Sequence, residues 1–131
     1  MKPLERLGGP IFAHGPRDAL HRLENLVLMA GHELPDRAIR EQVCSALDLM
    51  VHVSRMGDGT RKMLSIQELV GMEGPVVTMQ EIFRFVQTGL DEDGKVLGYF
   101  EATGIVPKCA ERIRLAGVTL PHDLFERGRR S

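Results

Sequence analysis

The sequence predicts a mixed α/β fold, with two helices first, an antiparallel β meander in the middle and one short helix near the C-terminus. Apolar residues recur every three or four positions in the first third of the chain and then alternate with polar ones. Glycine-rich turns separate the alternating segments, and such short connections favour antiparallel neighbours. With 131 residues, 43% hydrophobic and 27% charged, the chain suits a single globular domain.

Two amphipathic helices are predicted in the N-terminal third. The first spans Pro16 to Ala30, where proline suits the first turn and Gly31 suits the C-terminal cap. The second follows Pro35, which can again occupy a first turn, and Ile39 and Val43 mark its apolar face. We therefore expect these two helices to bury one side each.

Four strands and a last helix complete the prediction. In the first strand Leu47, Leu49, Val51 and Val53 alternate with the intervening residues, which predicts that this apolar set faces a core. The predicted strands lie at 47–54, 62–70, 76–86 and 95–103, and the last helix at 107–116, after which the chain packs back.

Charge and composition exclude several classes of function. The formal net charge is −1, and the only basic run is the tail with Arg127, Arg129 and Arg130, which we interpret as a solvated end. Nucleic acid is therefore not an expected partner. No apolar stretch is long enough to span a bilayer. With no signal-type apolar run at the N-terminus either, we expect a cytoplasmic location. Cys44 and Cys109 are 65 positions apart without a second cysteine nearby, which favours reduced, buried thiols.

The segment Gly89–Lys95 has the glycine and lysine spacing of a phosphate-binding loop. Val96 stands where a phosphate-binding loop has the hydroxyl residue that holds magnesium. The three consecutive acidic residues Asp91–Asp93 would repel phosphate. The spacing of these carboxylates also differs from that of a calcium loop. We predict an acidic hairpin turn.

No other pattern indicates catalysis or metal binding. No nucleophilic side chain has the sequence context of an activated one, and the alternating aromatic residues Phe83, Phe85, Tyr99 and Phe100 are expected in the core. The histidines are dispersed among different predicted elements without a metal-ligand spacing. They are His21, His32, His52 and His122.

Several short blocks, in their order and spacing, resemble the C-terminal part of the CpaF-type (TadA-type) secretion ATPases. These are the hexameric motors of tight-adherence (Flp) pilus assembly, related to the GspE/PulE-like ATPases of type II and type IV secretion. The resemblance covers residues 16–126, with 1–15 unmatched and 127–131 as the basic tail. The blocks are Pro16–Leu20, Leu34–Gln42, Asp58–Arg61, Val70–Gly74, Phe83–Phe85 and Ala102–Pro107.

The resemblance implies the C-terminal fragment of a RecA-like P-loop ATPase domain. In the complete family member, ATP and magnesium drive a cytoplasmic homohexamer docked on inner-membrane platform proteins. The Walker A, aspartate-box and Walker B segments are not in this sequence, so we expect a truncated portion that is inactive alone and holds no cofactor. Aligned on Pro16, Phe12 occupies the position of the family's box histidine, and His14 stands where the family has asparagine.

Three arginines near the predicted helix starts are the candidate functional side chains. Arg17, Arg37 and Arg40 could clamp a carboxylate of a neighbouring subunit, because a guanidinium forms paired hydrogen bonds with a carboxylate. The alternative is a solvated helix face with local acidic partners. The alternative function is a non-enzymatic interaction module that docks on a secretion-ATPase ring or its partners.

Overall fold

The computed structural model describes residues 13–31 and 35–131, and in these ranges the chain forms three helices and one four-stranded antiparallel sheet. The mixed α/β class and the order of elements predicted from the sequence are therefore confirmed. The helices are α1 (Pro16–Met29), α2 (Asp36–Ala46) and α3 (Cys109–Leu115). The strands are β1 (Leu49–Arg55), β2 (Arg61–Glu73), β3 (Val76–Leu90) and β4 (Val96–Ala102).

Proline and glycine set the ends of the first two helices. Pro16 occupies the first turn of α1, and Gly31 follows the helix with φ +84°, a left-handed conformation that favours glycine. Pro35 has an extended backbone, with φ −57° and ψ 145°, so it lies just before α2 and not in its first turn. The predicted place of Pro35 is therefore wrong by one residue.

The strands follow each other in the sheet in the order β1-β2-β3-β4. In the pairing of β3 with β4, Phe83 lies opposite Ala102 and Phe85 opposite Phe100, and the register shifts after Gln87. Such a shift is an irregularity of the ladder that bends a strand. Strands β2 and β3 are both longer than predicted: glycine was expected to end each strand, but Gly71 and Gly89 lie inside β2 and β3.

The apolar side of β1 faces the opposite way from the prediction. Leu49, Val51 and Val53 are 42%, 52% and 54% exposed, whereas the intervening Met50 and His52 are half-buried. A period-two pattern predicts a strand correctly, but which face is covered depends on what packs against it. This correction leaves a row of exposed apolar side chains on the first strand of the sheet.

The chain divides into two compact units, and the first contains α1, α2 and the segment Leu69–Met79. The apolar faces predicted for both helices are buried here, where they meet side chains of β2 and β3. Cys44 is half-buried against this cluster. The buried members of the cluster are Leu20, Ile39, Val43, Leu69 and Val77.

The second unit contains Val51–Glu68 and Gln80–Ser131. The ring of Phe83 lies 6.4 Å from that of Phe100 and 5.7 Å from that of Phe125, measured between centroids. The segment after α3 therefore packs back onto the sheet, as the sequence predicts. The fully buried apolar residues of this unit are Ile82, Ala102 and Ala110.

The C-terminal residues continue the sheet beyond β4. The amide of Phe100 donates to the carbonyl of Ser131 (3.3 Å), and that of Ser131 donates to the carbonyl of Phe100 (2.9 Å). The amide of Ala102 donates to the carbonyl of Arg129 (2.9 Å), and that of Gly128 donates to the carbonyl of Ala102 (3.0 Å). The prediction of a solvated tail is therefore wrong for its backbone, although its side chains are exposed.

Candidate functional site

Two of the three candidate arginines bond to backbone carbonyls where the β2–β3 turn leads into β3. The Nη2 of Arg17, at the start of α1, donates to the carbonyl oxygen of Val77 at 3.1 Å. The Nη1 of Arg40, on α2, donates to the carbonyl of Pro75 at 3.3 Å, and its Nε donates to Oε1 of Glu24 at 3.2 Å. The turn residue Pro75 thus receives the guanidinium of Arg40, and the start of β3 receives that of Arg17.

Arg40 joins three elements of the first unit. Its side chain is 27% exposed, and that of its partner Glu24, on α1, is 14% exposed. A hydrogen bond to a charged group contributes about 1.5–3 kcal/mol when it is shielded from water. Arg17 and Arg40 therefore hold the helices and the turn of their own chain together, and the intersubunit role given to them by the sequence stays a prediction.

Arg37 lies apart from the other two. Its Nε is 3.2 Å from Oε1 of Glu41, one turn along α2, and the two side chains are 65% and 57% exposed. An exposed pair at this spacing contributes about 0.3–0.5 kcal/mol. The structure therefore brings Arg17 and Arg40 together and leaves Arg37 on the solvated face, with the local acidic partner that the sequence offered as the alternative.

The segment that resembles a phosphate-binding loop forms the tight turn between β3 and β4. The amide of Asp91 donates to the carbonyl of Lys95 at 2.8 Å, and that of Gly94 donates to the carbonyl of Asp91 at 3.0 Å. The carboxylate of Asp91 accepts the amides of Asp93 (2.9 Å) and Lys95 (2.8 Å). The acidic hairpin turn predicted from the sequence is confirmed.

This geometry opposes phosphate binding at the turn. A phosphate cradle needs backbone amides that point at the ligand and a helix that begins there. Here the amides of Asp93 and Lys95 already bond to a carboxylate, and the turn leads into a strand. An incoming phosphate would have to displace the Asp91 carboxylate and approach a negative charge.

Asp58 connects the β1–β2 turn to the start of β4. Its Oδ1 accepts the hydroxyl of Thr60 at 2.6 Å and the amide of Thr60 at 2.8 Å. Its Oδ2 accepts the amide of Val96 at 2.7 Å, across 38 positions of sequence. These hydrogen bonds favour the ionised carboxylate, with that of the Thr60 hydroxyl first, and they lower the pKa of Asp58 to about 2.

From the sequence, Asp58 was identified only as the first residue of the block Asp58–Arg61, without a role of its own. The order Asp58-Gly59-Thr60 is typical of a turn in which the aspartate bonds to the backbone two residues later. The bond to Val96 has no local sequence signal, because it depends on how the two hairpins lie beside each other in the second unit. Asp58 is thus a structural carboxylate that links two turns.

A buried carboxylate fixes the start of α3. Glu68 is 3% exposed, and its Oε1 and Oε2 accept the amides of Lys108 (2.8 Å) and Cys109 (3.0 Å). Amides at the start of a helix have no partner inside the helix, and a negative charge there is favourable. Sequence reasoning missed this role, and the available signal was an acidic residue within the apolar β2 pattern, which has to be paired if buried.

The aromatic residues of β3 and β4 are half-buried, and three of them, Phe85, Tyr99 and Phe100, line a shallow groove of about 330 Å³. The ammonium of Lys62 lies 5.8 Å from the Phe85 ring centroid, and the guanidinium of Arg130 lies 3.9 Å from that of Tyr99. Gly98 leaves room for the ring of Phe85, because a Cβ at this position would collide with that ring. The rings are therefore paired with cations of their own chain and are less buried than the sequence predicted.

The remaining candidates do not form a site in the part of the chain that the structure describes. Phe12, at the position of the family's box histidine, and His32 lie outside the described residues. The backbone amide of His14 donates to Oδ2 of Asp18 at 2.9 Å, next to the start of α1. Within residues 13–31 and 35–131, no group of three or more histidine, cysteine or acidic side chains could hold a metal ion.

No family model matches the chain, and no curated protein matches it. Among the helices of the described residues, none combines the length and the apolar character required to cross a bilayer.

Proposed function

We propose that residues 16–126 are the C-terminal part of a RecA-like motor domain of a CpaF-like secretion ATPase. The observation that carries the proposal is that five of the six resembling blocks overlap the ends of helices or strands, whereas Phe83–Phe85 lies within β3. The block Pro16–Leu20 opens α1, Asp58–Arg61 turns β1 into β2, and Ala102–Pro107 leads from β4 to α3. Residues at such junctions are the ones that a fold requires most strictly.

Contacts within these blocks support the same proposal. Arg17 and Arg40, each in a block, bond to the carbonyls of Val77 and Pro75, just after the block Val70–Gly74. Asp58, in a third block, bonds to Thr60 and to the start of β4. The resemblance thus falls on side chains that hold distant parts of the chain together. A chance agreement of short blocks would have no reason to select these side chains.

In the proposed motor these residues form scaffold and intersubunit surface. ATP and magnesium are bound by parts of the motor that carry the Walker segments, and the occupied amides of the Gly89–Lys95 turn support this division of labour. The partners are then the rest of the motor, its neighbouring subunits and inner-membrane platform proteins. This chain alone is expected to bind no nucleotide and to have no ATPase activity.

The proposal is tested by complementing a CpaF-type motor from which the equivalent C-terminal part has been removed. Mixing that protein with this chain should restore ATP hydrolysis, measured as phosphate release, to at least ten times the rate of either component. The variant Arg40→Ala should reduce the restored rate, because α1, α2 and the turn lose a common partner. Arg37→Ala is the matched control, since it removes only an exposed pair.

Failure to associate with the truncated motor, with this chain folded as judged by circular dichroism, would overturn the proposal. Isothermal titration of this chain with magnesium-ATP provides the second measurement. Saturable binding that is abolished by Lys95→Ala would contradict the assignment of the Gly89–Lys95 segment as a structural turn.

A non-enzymatic interaction module is the second candidate. It is favoured by the exposed apolar side chains of β1, because a free protein rarely leaves such a row uncovered. The module would dock on a complete secretion-ATPase ring or on its partner proteins. Binding to an intact CpaF-type hexamer, without restored activity in the truncated motor, would favour this candidate over the first.

A further inference from the structure

The outer edge of β1 is open in the part of the chain that the structure describes. β1 is the first strand of the sheet, and within residues 13–31 and 35–131 no strand is assigned on its other side. Its sequence, from Leu49 to Arg55, contains no proline or lysine and only one charged residue. Proline, lysine and inward-pointing charges are the usual devices that prevent edge-to-edge pairing.

The other end of the sheet differs. The outer edge of β4 is occupied by the backbone of Gly128–Ser131, which bonds to Phe100 and Ala102. An added strand would have to displace this segment. Strand addition is therefore directed to β1, where Val51 and Val53 are more than half exposed.

We propose that two copies of this chain associate by antiparallel pairing of their β1 strands. Directly opposed residues of an antiparallel pair lie on the same face of the sheet. With the two-fold axis at His52, Val51 lies opposite Val53 of the second copy and Leu49 lies opposite Arg55. Val51 and Val53 of both copies then share one face as adjacent cross-strand pairs, which β-branched side chains favour.

The charge on β1 selects the antiparallel direction. Arg55 is the one charged residue of the strand. Antiparallel pairing places the two copies of Arg55 at opposite ends, separated by roughly 20 Å at about 3.4 Å per residue. Parallel pairing in register would bring them within about 5 Å of each other, where like charges repel.

The area of contact indicates a weak dimer. A single pair of edge strands buries less than the roughly 1,600 Å² of a standard stable interface. We therefore expect a dissociation constant on the order of 10–100 μM and a dimer fraction that depends on concentration. This inference does not rest on the proposed function, since it uses only the exposed edge of the isolated chain.

Analytical ultracentrifugation of the full chain from about 5 to 500 μM tests the inference. The expected result is a monomer at the lowest concentration and a dimer at the highest. The double variant Val51→Lys/Val53→Lys should stay monomeric throughout, because it puts two cations on the edge of each copy. Leu97→Lys is the matched control: Leu97 is an exposed apolar strand residue on β4, at 46% exposure, and its substitution should leave the dimer unchanged.

A second test needs no variant: amide hydrogen exchange of the wild-type chain is measured at about 5 μM and at about 500 μM. Amides of β1 should become about three- to sevenfold more protected at high concentration, the ratio of monomer fractions that a dissociation constant of about 10–100 μM gives, while amides of β4 should not change. A chain that remains monomeric at 500 μM would overturn the inference. So would a dimer without added protection in β1, or one that Leu97→Lys disrupts and the double lysine variant does not.

Discussion

The two edges of the sheet differ in what the chain does with them. At β4 the last residues run alongside the strand, form four backbone hydrogen bonds with it and place Arg130 over the ring of Tyr99. At β1 the apolar side chains are exposed, and no strand lies alongside in the described residues. One edge is completed within the chain, and the other has no neighbouring strand among residues 13–31 and 35–131.

This difference separates stability from interaction. Residues at the β4 edge have their partners inside the second unit, so substitutions there should reduce the free energy of unfolding. Side chains of β1 that are exposed contribute little to folding and should affect association only. The four predictions below test this separation, from the largest expected effect to the smallest.

Gly98→Ala should cause the largest loss. A Cβ at this position would collide with the ring of Phe85 and with the carbonyl oxygen of Val86, and the backbone cannot move away cheaply. We expect the free energy of unfolding to fall by about 3 kcal/mol, the upper part of the range for overpacking. Urea denaturation measures it. Gly89→Ala is the control, because a Cβ there meets no atom within 4 Å; an equal loss in both variants would contradict the packing argument.

Removal of the residues after Arg127 should uncover the β4 edge. Loss of four backbone hydrogen bonds should lower the free energy of unfolding by about 2 kcal/mol, since each exposed bond contributes about 0.5 kcal/mol or more. The truncated chain should also associate more strongly, because both edges are then open. Arg130→Ala keeps the backbone bonds and should cost only about 0.5–1 kcal/mol from the lost cation–π contact.

Asp58 should make the second unit sensitive to acid. Its pKa is lowered to about 2 in the folded chain, from 3.8, so its stabilising effect is complete above about pH 4 and is lost as the pH falls towards 2. We expect the wild type to melt at a higher temperature than Asp58→Asn at pH 7 and pH 5. The difference should shrink between pH 4 and pH 2. A difference that is constant with pH would show that ionisation of Asp58 does not stabilise the fold.

Val53→Lys should have the smallest effect on stability. The side chain is 54% exposed, so the free energy of unfolding measured at low protein concentration should change by less than about 0.5 kcal/mol. Thermal denaturation at about 5 μM, where the chain is expected to be monomeric, gives the value. A loss as large as that of Gly98→Ala would mean that the β1 edge supports the fold after all.

The periodicity of apolar residues was sufficient to predict the helices and strands, but not which face of β1 is covered. The helical spacing of Ile39 and Val43 identified residues that are buried in the first unit. The alternation through Val51 and Val53 identified β1 but assigned the wrong face, because alternation carries no information on which side another layer covers. Local patterns therefore predict local structure, and burial depends on tertiary packing.

The candidate site was predictable to the same extent. An acidic loop between two strand-like segments was enough to predict the Gly89–Lys95 turn, since its chemistry is local. The partners of Arg17 and Arg40 were not predictable, because Val77 and Pro75 lie 60 and 35 positions away in sequence. Arg37 could be paired with Glu41 from sequence alone, as both lie on one helix at a spacing of four.

The buried carboxylate of Glu68 has a consequence for the order of folding. Helix α3 extends only from Cys109 to Leu115, too short to persist by itself in water. The acceptors for its first amides are supplied from β2, 40 positions earlier in the chain. Helix α3 can therefore become stable only after that strand has formed. We expect α3 to be among the last elements to acquire native structure, both during synthesis and after dilution from denaturant.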